Sequence, residues 1–372
     1  MNNLKIVIIA QTIYPNLSPR AHRATQLATE LAQRGHNVIV YALLGNYDYT
    51  EFSKETNLQI KNLGTSKFGC PNSDNIRKEN LFSKIIKKIL GKYLSFPGIE
   101  LIPMIKEVLS KEKKIDLLIT IAKPYEIHWG TALCKNKDVK CWVSDCGDPF
   151  MGNPFSKPPF YFKYIEKYWC KRTDYITIPI AEAKKAYYEE FQNKIKVIPQ
   201  GFDFSNFKIA DYIPNDVPTF AYSGIVYKNI RDPSAFLEYL CSIDYEFKFI
   251  VYTRSPRFFD NYKSRLGAKI DIRDYVPRTK LLYELSKMDF LINFQNNSGV
   301  QQPSKLIDYA LTDRPIINIS NNFKERENFE LFMKGDYSRK VNINNLEDYN
   351  IKNVSNQFLN LYFEKIHNDS NN

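Results

Sequence analysis

The chain has 372 residues, of which 44% are hydrophobic and 25% are charged, and its formal net charge is +11. This composition is typical of a folded globular protein, and the aromatic fraction of 14% excludes disorder over most of the chain. No apolar stretch approaches the roughly 18–20 residues that a membrane span requires, and the apolar segment 6–10 is too short for a signal peptide. We therefore expect a cytoplasmic protein of about two to three domains.

The positive charge lies in the first half of the chain. Residues 1–200 hold 30 lysines and arginines against 19 acidic residues, whereas residues 201–372 hold 22 of each. A basic half favours an anionic partner such as a lipid surface, a nucleic acid or an acidic glycan. The two halves are therefore expected to meet different partners.

Short apolar runs rich in β-branched residues alternate with helical patterns along the first half. The run 4–10 predicts a buried strand, Ser18-Pro19 predicts a capped helix start, and Gly35 predicts the end of that helix. Further strands are predicted at 37–44, 116–122, 139–144, 175–180 and 195–198. Repeated β-α units indicate a parallel sheet covered by helices.

The pattern pauses at 200–218, a proline-containing stretch that is typical of an interdomain linker. A second β-α series follows it, with strands predicted at 219–222, 247–252, 270–276, 290–294 and 315–319. We therefore predict an N-terminal domain over 1–199 and a C-terminal domain over 219–350. A last helix within 351–372 is expected to pack back on the N-terminal domain. The fold class is thus α/β with two tandem Rossmann-like domains, and we expect the active site in the cleft between them.

Several common catalytic signatures are missing from the sequence. It contains no GxGxxG dinucleotide fingerprint, no HExxH or GxSxG motif, and no lysine after the P-loop-like spacing of Gly64 and Gly69. The six cysteines form no CxxC pair and no Cys/His metal spacing. We therefore predict no metal site and no cofactor.

The segment that best suggests chemistry is 299–319, GVQQPSKLIDYALTDRPIINI. Its Pro303-Ser304 pair predicts a helix start, where backbone N–H groups, the Ser304 hydroxyl and the Lys305 charge can hold an anion. Asp308 follows one turn later on the same face, where it can accept hydrogen bonds from a ribose. From the spacing alone, a capped surface helix with a solvated aspartate remains the alternative.

This segment and three others resemble GT-B glycosyltransferases, most closely those of the family-4 type. The Pro-Ser-Lys-x-x-Asp-Tyr run followed by Arg314-Pro315 resembles their C-terminal donor-binding motif. The blocks 195–203 (IKVIPQGFD) and 221–233 (AYSGIVYKNIRDP) resemble the interdomain segment and the glycine-rich donor loop. The block 143–150 (VSDCGDPF) is similar to an Asp-x-x-Asp-Pro-aromatic motif of a bacterial subgroup.

The resemblance implies a GT-B fold and a glycosyltransferase of cell-surface polysaccharide biosynthesis. It implies transfer of a sugar from a nucleotide-diphosphate-sugar donor to a saccharide or lipid-linked saccharide acceptor, without a metal and with retention of configuration. In place of a glutamate that many family members carry, this chain has Val300, which leaves the retaining and the inverting course both open.

The resemblance also assigns the donor to the C-terminal domain, where fixed cations and backbone donors stabilise the leaving diphosphate. The diphosphate-binding candidates are Gly224, Lys228, Arg231, Ser304 and Lys305, and the ribose-binding candidate is Asp308.

The N-terminal domain carries the catalytic candidates. A family histidine at the place of His128 faces the donor sugar, whereas a lone histidine is otherwise a common core residue. Asp145 and Asp148 follow the predicted strand 139–144, where either can orient or deprotonate the acceptor hydroxyl, although Asp148-Pro149 is also a common turn pair. The acceptor-side candidates in the first loop are Ser18, Arg20, His22 and Arg23.

The stretch 81–94 (LFSKIIKKILGKYL) predicts an amphipathic helix with one apolar and one basic face. Its membrane-interface candidates are Lys84, Lys87, Lys88 and Lys92. Each basic residue near anionic lipid contributes on the order of 1 kcal/mol, so we expect peripheral association with the inner face of the cell membrane. The alternative is a helix packed on the sheet with its lysines in water.

Two other functions stay open from the sequence. One is a nucleotide-sugar epimerase of the same fold, and the other is a non-catalytic glycan- or lipid-binding subunit, which Val300 favours. Nucleic-acid binding is not expected, because the basic segment pairs its lysines with aliphatic residues rather than with the stacking aromatics of a single-strand groove.

Overall fold

A computed structural model describes residues 3–16, 18–67, 81–135, 138–154, 156–205, 207–228, 230–295, 305–343 and 345–371. The chain divides into two compact units, one of Met1–Asp203 with Asp348–Asn372 and one of Phe204–Glu347. Each unit is a parallel sheet covered by helices, which confirms the predicted α/β class with two tandem Rossmann-like domains. None of the described helices is long and apolar enough to cross a membrane.

The first unit contains a seven-stranded sheet of order β3-β2-β1-β4-β5-β6-β7 with every pair parallel. Its strands are β1 (Lys5–Ile9), β2 (Asn37–Ala42), β3 (Gln59–Asn62), β4 (Ile115–Ala122), β5 (Val139–Cys146), β6 (Tyr175–Ile178) and β7 (Ile195–Val197). The strand order reverses between β1 and β4, and open α/β sheets bind ligands at such a switch point.

Helices cover both faces of this sheet. The helices of this unit that precede the second unit in the chain are α1 (Pro19–Gln33), α2 (Thr50–Thr56), α3 (Leu81–Leu94), α4 (Leu101–Lys111), α5 (Glu126–Leu133) and α6 (Phe162–Arg172). The Ser18 hydroxyl caps α1 by accepting from the Ala21 amide at 3.3 Å. Gly35 follows the helix with φ of +87°, a backbone conformation that favours glycine. Both termini of α1 are therefore as the sequence predicts.

The second unit contains a five-stranded parallel sheet of order β10-β9-β8-β11-β12. Its strands are β8 (Thr219–Ser223), β9 (Lys248–Tyr252), β10 (Ile270–Arg273), β11 (Phe290–Phe294) and β12 (Ile316–Ile319). Its helices are α7 (Ser234–Ser242), α8 (Asp260–Leu266), α9 (Arg278–Leu285), α10 (Lys305–Ala310) and α11 (Arg326–Met333). Aromatic rings fill the core, where the Phe220 and Phe290 rings stack at 4.8 Å.

The last helix, α12 (Ile351–Ser370), belongs to the first unit. Its Val354 and Phe358 side chains are fully buried in the core of that unit. The Arg34 guanidinium at the end of α1 donates to the Lys352 carbonyl at 2.6 Å. The first sheet is therefore covered in part by a segment that follows the whole second unit in the chain.

Candidate active site

The loop after β8 begins at the carboxyl edge of the five-stranded sheet. Gly224 has φ of +149°, and a Cβ built on it would lie 2.9 Å from the Tyr222 hydroxyl oxygen. Its amide donates to the Tyr252 carbonyl of β9 at 2.9 Å. Glycine therefore allows the backbone to turn closely over the strand ends, where ligands of open α/β sheets bind.

Lys305 places a buried cation beside this loop. Its ammonium nitrogen lies 4.2 Å from the centre of the Tyr222 ring and is buried without a hydrogen-bond partner among the described residues. Burial, and then the charge of Arg231, hold the pKa of Lys305 well below its usual range. The chain just before it, residues 296–304, contains no Asp or Glu. A buried cation of this kind is strongly stabilised by an anion.

Arg231 and Tyr309 brace the same loop. The Arg231 guanidinium donates to the Ile225 carbonyl at 3.3 Å, and the Tyr222 hydroxyl donates to the same oxygen at 3.1 Å. The Tyr309 hydroxyl accepts from the Ser223 amide at 2.7 Å and so ties α10 to the end of β8. The loop is thus held in shape by side chains from three separate segments of the unit.

Asp308 lies beside Tyr309 on α10 and forms an ion pair with Arg278. The Arg278 Nε donates to Asp308 Oδ1 at 2.7 Å, and the two side chains are 26% and 20% exposed. Arg278 begins α9 shortly after β10, so it also belongs to the carboxyl edge of the sheet. A carboxylate accepts about four hydrogen bonds, of which this arginine nitrogen supplies one.

The structure brings four of the predicted donor residues, Gly224, Arg231, Lys305 and Asp308, to one edge of the second unit. Lys228 is exposed on the loop between Gly224 and Arg231. Two further positions, Ser304 and Val300, lie outside the described residues. The donor roles of all these residues stay predictions.

Sequence analysis missed Tyr222, Tyr309 and Arg278 at this edge. The tyrosines precede Gly224 and follow Asp308, where both look like ordinary core residues. Arg278 could have been predicted as a site residue, because Pro277-Arg278 follows the predicted strand 270–276. Loops that follow parallel strands meet at the carboxyl edge of the sheet, where ligands bind.

In the first unit, Arg23 and Asp145 form a buried ion pair between α1 and β5. The Arg23 Nη2 and Nε atoms donate to the two Asp145 oxygens at 2.8 and 3.1 Å, and Thr177 of β6 donates to Oδ1 at 2.8 Å. Burial would raise the pKa of Asp145, but Arg23, Arg20 and Thr177 outweigh it and hold this pKa below its usual value. The geometry favours a positioning role for Asp145 over proton transfer.

His128 lies in an aromatic cluster beneath the loop that follows β5. Its imidazole has no exposed surface, with Nδ1 2.9 Å from the Thr120 hydroxyl and Nε2 3.5 Å from the Cys146 sulfur. The ring packs 4.8 Å from the Trp169 ring. Contact with a sugar would require this cluster to open, and the predicted catalytic role of His128 stays a prediction.

The burial of His128 predicts a pH-dependent stability. Burial lowers its pKa from 6.5 to about 3, although the Asp145 charge opposes the shift. The unfolded chain therefore binds the extra proton first, and stability falls as the pH decreases below 6.5. We expect the wild type to lose about 1.5 kcal/mol of unfolding free energy through this residue between pH 6.5 and about pH 5, and His128→Gln not to lose it.

Urea unfolding of both proteins at a series of pH values measures this difference. The matched control is His367→Gln, which changes an exposed histidine of α12. A wild type and a His128→Gln variant with the same pH slope would contradict the assignment of a buried neutral imidazole.

Asp148 lies in a constrained loop after β5. The Tyr125 hydroxyl donates to the Asp148 carbonyl, and Lys123 Nζ is 3.6 Å from the Asp148 carboxylate, which is 33% exposed. A Cβ on Gly147 would lie 2.3 Å from the Arg20 guanidinium carbon, and one on Gly152 would lie 2.1 Å from the Ala186 carbonyl. The loop thus holds an accessible carboxylate at the edge of the sheet, and its catalytic role stays a prediction.

The four predicted acceptor residues differ in their surroundings. The cap residue Ser18 and His22 are exposed, and Arg20 is half-buried beside Gly147, whereas Arg23 is buried in its ion pair. Of the two arginines, only Arg20 is placed to meet a ligand, because its guanidinium reaches the edge where β1 and β5 end.

Two tyrosine rings lie along the same edge, after β1 and β2. Tyr14 and Tyr47 are 41% and 42% exposed and meet edge to face with their centres 5.7 Å apart. Tyr14 also stacks on Phe52 at 4.8 Å. Sequence analysis did not single out these rings, because tyrosine is frequent throughout the chain.

Helix α3 is present as the sequence predicts. Lys88 and Lys92 are exposed on it together with Ile89 and Leu94, each 52% exposed. The side chains of Lys84 and Lys87 lie outside the described part of the structure.

A seven-stranded and a five-stranded parallel sheet in succession form the fold of GT-B glycosyltransferase structures. No protein-family model matches the chain, and no curated protein matches it. Solved structures match it over nearly its whole length, at identities that show a likeness of fold.

Three of these structures define the likeness. A glycosyltransferase from Rickettsia africae ESF-5 is 14% identical with a TM-score of 0.61, and the match covers 98% of this chain and 99% of that one. HepE from Anabaena, in complex with UDP and glucose, is 8% identical with a TM-score of 0.61 and full coverage of both chains. The lipopolysaccharide outer core galactosyltransferase WaaB is 11% identical with a TM-score of 0.60, covering 97% of this chain and 100% of its own.

Proposed function

We propose that this protein is a glycosyltransferase that moves a sugar from a nucleotide-diphosphate-sugar donor to a saccharide or lipid-linked saccharide acceptor. The observation that carries the proposal is the buried ammonium of Lys305, which lies near Arg231 and the Gly224 loop without an anionic partner among the described residues. A diphosphate would supply the negative charge that pairs with the Lys305 ammonium. The likeness to HepE with bound UDP and glucose supports the choice of ligand.

The chemistry of this site follows from its charges. Negative charge develops on the leaving diphosphate as the bond between it and the donor sugar breaks. Cations that are already fixed in a site without water stabilise this charge, because they do not have to move during the reaction. Binding of the anion also restores the pKa of Lys305, so the lysine is protonated when it is needed. The Arg278-oriented carboxylate of Asp308 binds the ribose hydroxyls.

The acceptor binds at the carboxyl edge of the seven-stranded sheet in this proposal. Asp148 is the candidate that orients or deprotonates the acceptor hydroxyl, since its carboxylate is accessible. The carboxylate of Asp145 is instead buried in an ion pair with Arg23. The exposed faces of Tyr14 and Tyr47 suit contact with the apolar face of a sugar ring, and their hydroxyls suit its polar rim.

The finer parts of the proposal rest on the resemblance of the motifs. They are a family-4 type enzyme, a retaining reaction, a role in bacterial surface polysaccharide synthesis, and peripheral attachment to the inner membrane face through α3. The proposed reaction proceeds without a metal.

Thermal unfolding against UDP-, GDP-, CDP- and dTDP-sugars, with EDTA throughout and NAD as the control ligand, tests the function. A donor at about 100 times its Kd stabilises by roughly 2.7 kcal/mol, which raises the unfolding midpoint by about 2–4 °C. We expect a shift with one nucleotide family, and Asp308→Ala should abolish it.

Other outcomes would replace the proposal. No shift with any nucleotide-sugar, in a folded protein, would favour a non-catalytic glycan- or lipid-binding subunit. Inversion of a sugar centre without an added acceptor would favour an epimerase.

A further inference from the structure

Several aromatic side chains around the start of α6 are exposed to solvent. Phe160 is 73% exposed and Tyr164 is 62% exposed, while Tyr168, one turn further, is 37% exposed. Their neighbours Phe162 and Trp169 are buried in the core, so the exposed rings form a distinct outer face of the same segment. Large exposed aromatic groups of this kind mark an interaction surface.

The same segment is strongly basic. Residues 156–172 contain five lysines and arginines and one acidic residue, Glu166, which is buried. The cations lie against the rings, with Lys163 Nζ 5.0 Å from the centre of the Tyr164 ring and the Arg172 guanidinium 3.6 Å from that of Tyr168. The aromatic face therefore carries positive charge and no exposed carboxylate within this segment.

This face continues onto α3. The Tyr161 hydroxyl donates to the Tyr93 carbonyl at the end of α3, which joins the two helices directly. Tyr93 is itself 46% exposed, and Lys92 Nζ lies 5.2 Å from the centre of its ring. Residues 81–94 contain four lysines and no acidic residue. Within residues 81–94 and 156–172, the exposed charged side chains beside these rings are therefore positive, and Glu190, 3.2 Å from Lys167 Nζ, is an exposed acidic neighbour from another segment.

We propose that this aromatic–basic face, defined by Phe160, Tyr164 and Tyr168 with the exposed end of α3, is seated in the interface of an anionic lipid bilayer. Tyrosine and phenylalanine rings are stable at the level of the lipid headgroups, where one side is apolar and the other wet. The flanking lysines reach the anionic headgroups while their stems stay along the rings.

The proposal adds a second anchoring element to α3, which itself exposes Ile89 and Leu94 beside its lysines. Binding by lysines alone is weakened by salt. Inserted rings add burial of apolar surface, which salt does not weaken. The proposal rests on the membrane attachment through α3 proposed above, whereas neither lipid binding nor its test involves the donor site.

Flotation with unilamellar vesicles tests it on the full-length protein. We expect binding to vesicles of phosphatidylethanolamine with phosphatidylglycerol and little binding to phosphatidylcholine vesicles. The double variant Phe160→Ser, Tyr164→Ser should bind at least about tenfold more weakly, from the lost burial of two rings. The charge variant Lys163→Gln should bind about fivefold more weakly in low salt. The matched control is Tyr245→Ser, which changes a 59% exposed tyrosine of the second unit.

A second measurement reports insertion itself. Phe160→Trp introduces an indole at the exposed position, whereas Trp129, Trp142 and Trp169 are buried. Quenching of the added emission by lipids brominated on their acyl chains is the expected result. Circular dichroism and the midpoint shift with the nucleotide-sugar identified in the thermal screen, both measured without vesicles, separate a folding defect or a failed donor site from a loss of lipid binding.

Three results would overturn the proposal. They are an absence of binding to anionic vesicles, equal binding of the wild type and the double variant, and no quenching in the bound Phe160→Trp protein. A wild type that is dimeric by light scattering, and a double variant that is monomeric, with no vesicle binding by either, would assign the face to a second copy of the chain.

Discussion

Lys305→Met is expected to reduce the affinity for the nucleotide-diphosphate-sugar donor by at least about thirtyfold while it makes the ligand-free protein more stable. The loss follows because a buried cation that contacts an anionic ligand contributes about 2–5 kcal/mol to its binding. Isothermal titration with the donor identified in the thermal screen measures the affinity, and urea unfolding of the free protein measures the stability.

The gain in stability has a separate physical cause. In the free protein the Lys305 ammonium is buried over the Tyr222 ring without a hydrogen-bond partner among the described residues, and its pKa is held well below the usual range by burial and by Arg231. Methionine is of similar length and removes that cost, so the free energy of unfolding should rise by about 1–3 kcal/mol at neutral pH. The gain should shrink as the pH rises towards 10.5, where the unfolded lysine also loses its proton.

Opposite signs in the two measurements distinguish a ligand-binding lysine from a structural one. A lysine that held the fold together would lose stability when replaced. The control is Lys280→Met, which changes an exposed lysine of α9 in the same unit and should leave both quantities unchanged. Unaltered donor affinity in Lys305→Met would remove the observation on which the proposed function depends.

The architecture was predictable because parallel sheets leave a strong pattern in the sequence. Runs such as 4–10 and 290–294 are apolar apart from Lys5 and Asn293, since helices cover both faces of the strands that they form. The strand β3 was missed for the converse reason. It lies at the edge of its sheet and its sequence, QIKN, shows neither an apolar run nor a regular alternation.

The pairings within the site were not predictable from the same patterns. Arg23 and Asp145 are 122 positions apart, and no local spacing relates a residue of the first helix to the end of the fifth strand. Asp145 was predicted as functional from its place after a strand, and Arg23 from its place in the first loop. Charged residues of this kind can either bind a ligand or form a structural ion pair with one another. Their burial decides between these two roles, and burial is not visible in the sequence.

Asp145→Ala is expected to destabilise the protein by about 3–5 kcal/mol, the largest stability loss that we predict. The substitution leaves the Arg23 guanidinium buried without its carboxylate, and both side chains of the pair are 3% exposed. Arg23 also donates to the Pro199 and Ile198 carbonyls and lies 5.1 Å from the centre of the Phe358 ring in α12. Urea unfolding at neutral pH measures the change.

A double-mutant cycle separates the pair from its surroundings. Arg23→Met combined with Asp145→Ala removes both charges, so it should cost clearly less than the sum of the two single changes. The control is Glu107→Ala in the exposed Lys111–Glu107 pair, which should change stability by less than about 1 kcal/mol.

Substitution by asparagine decides what Asp145 does in the reaction. If it positions the strand ends, the folded fraction of Asp145→Asn at low temperature keeps a kcat whose pH profile matches that of the wild type, because the proton-transferring group is elsewhere. Asp148→Asn should then lose activity by about 10²–10⁴-fold with little change in stability, as expected for general base catalysis by an accessible carboxylate. A kcat lost equally in both variants, in fully folded protein, would return Asp145 to the catalytic candidates.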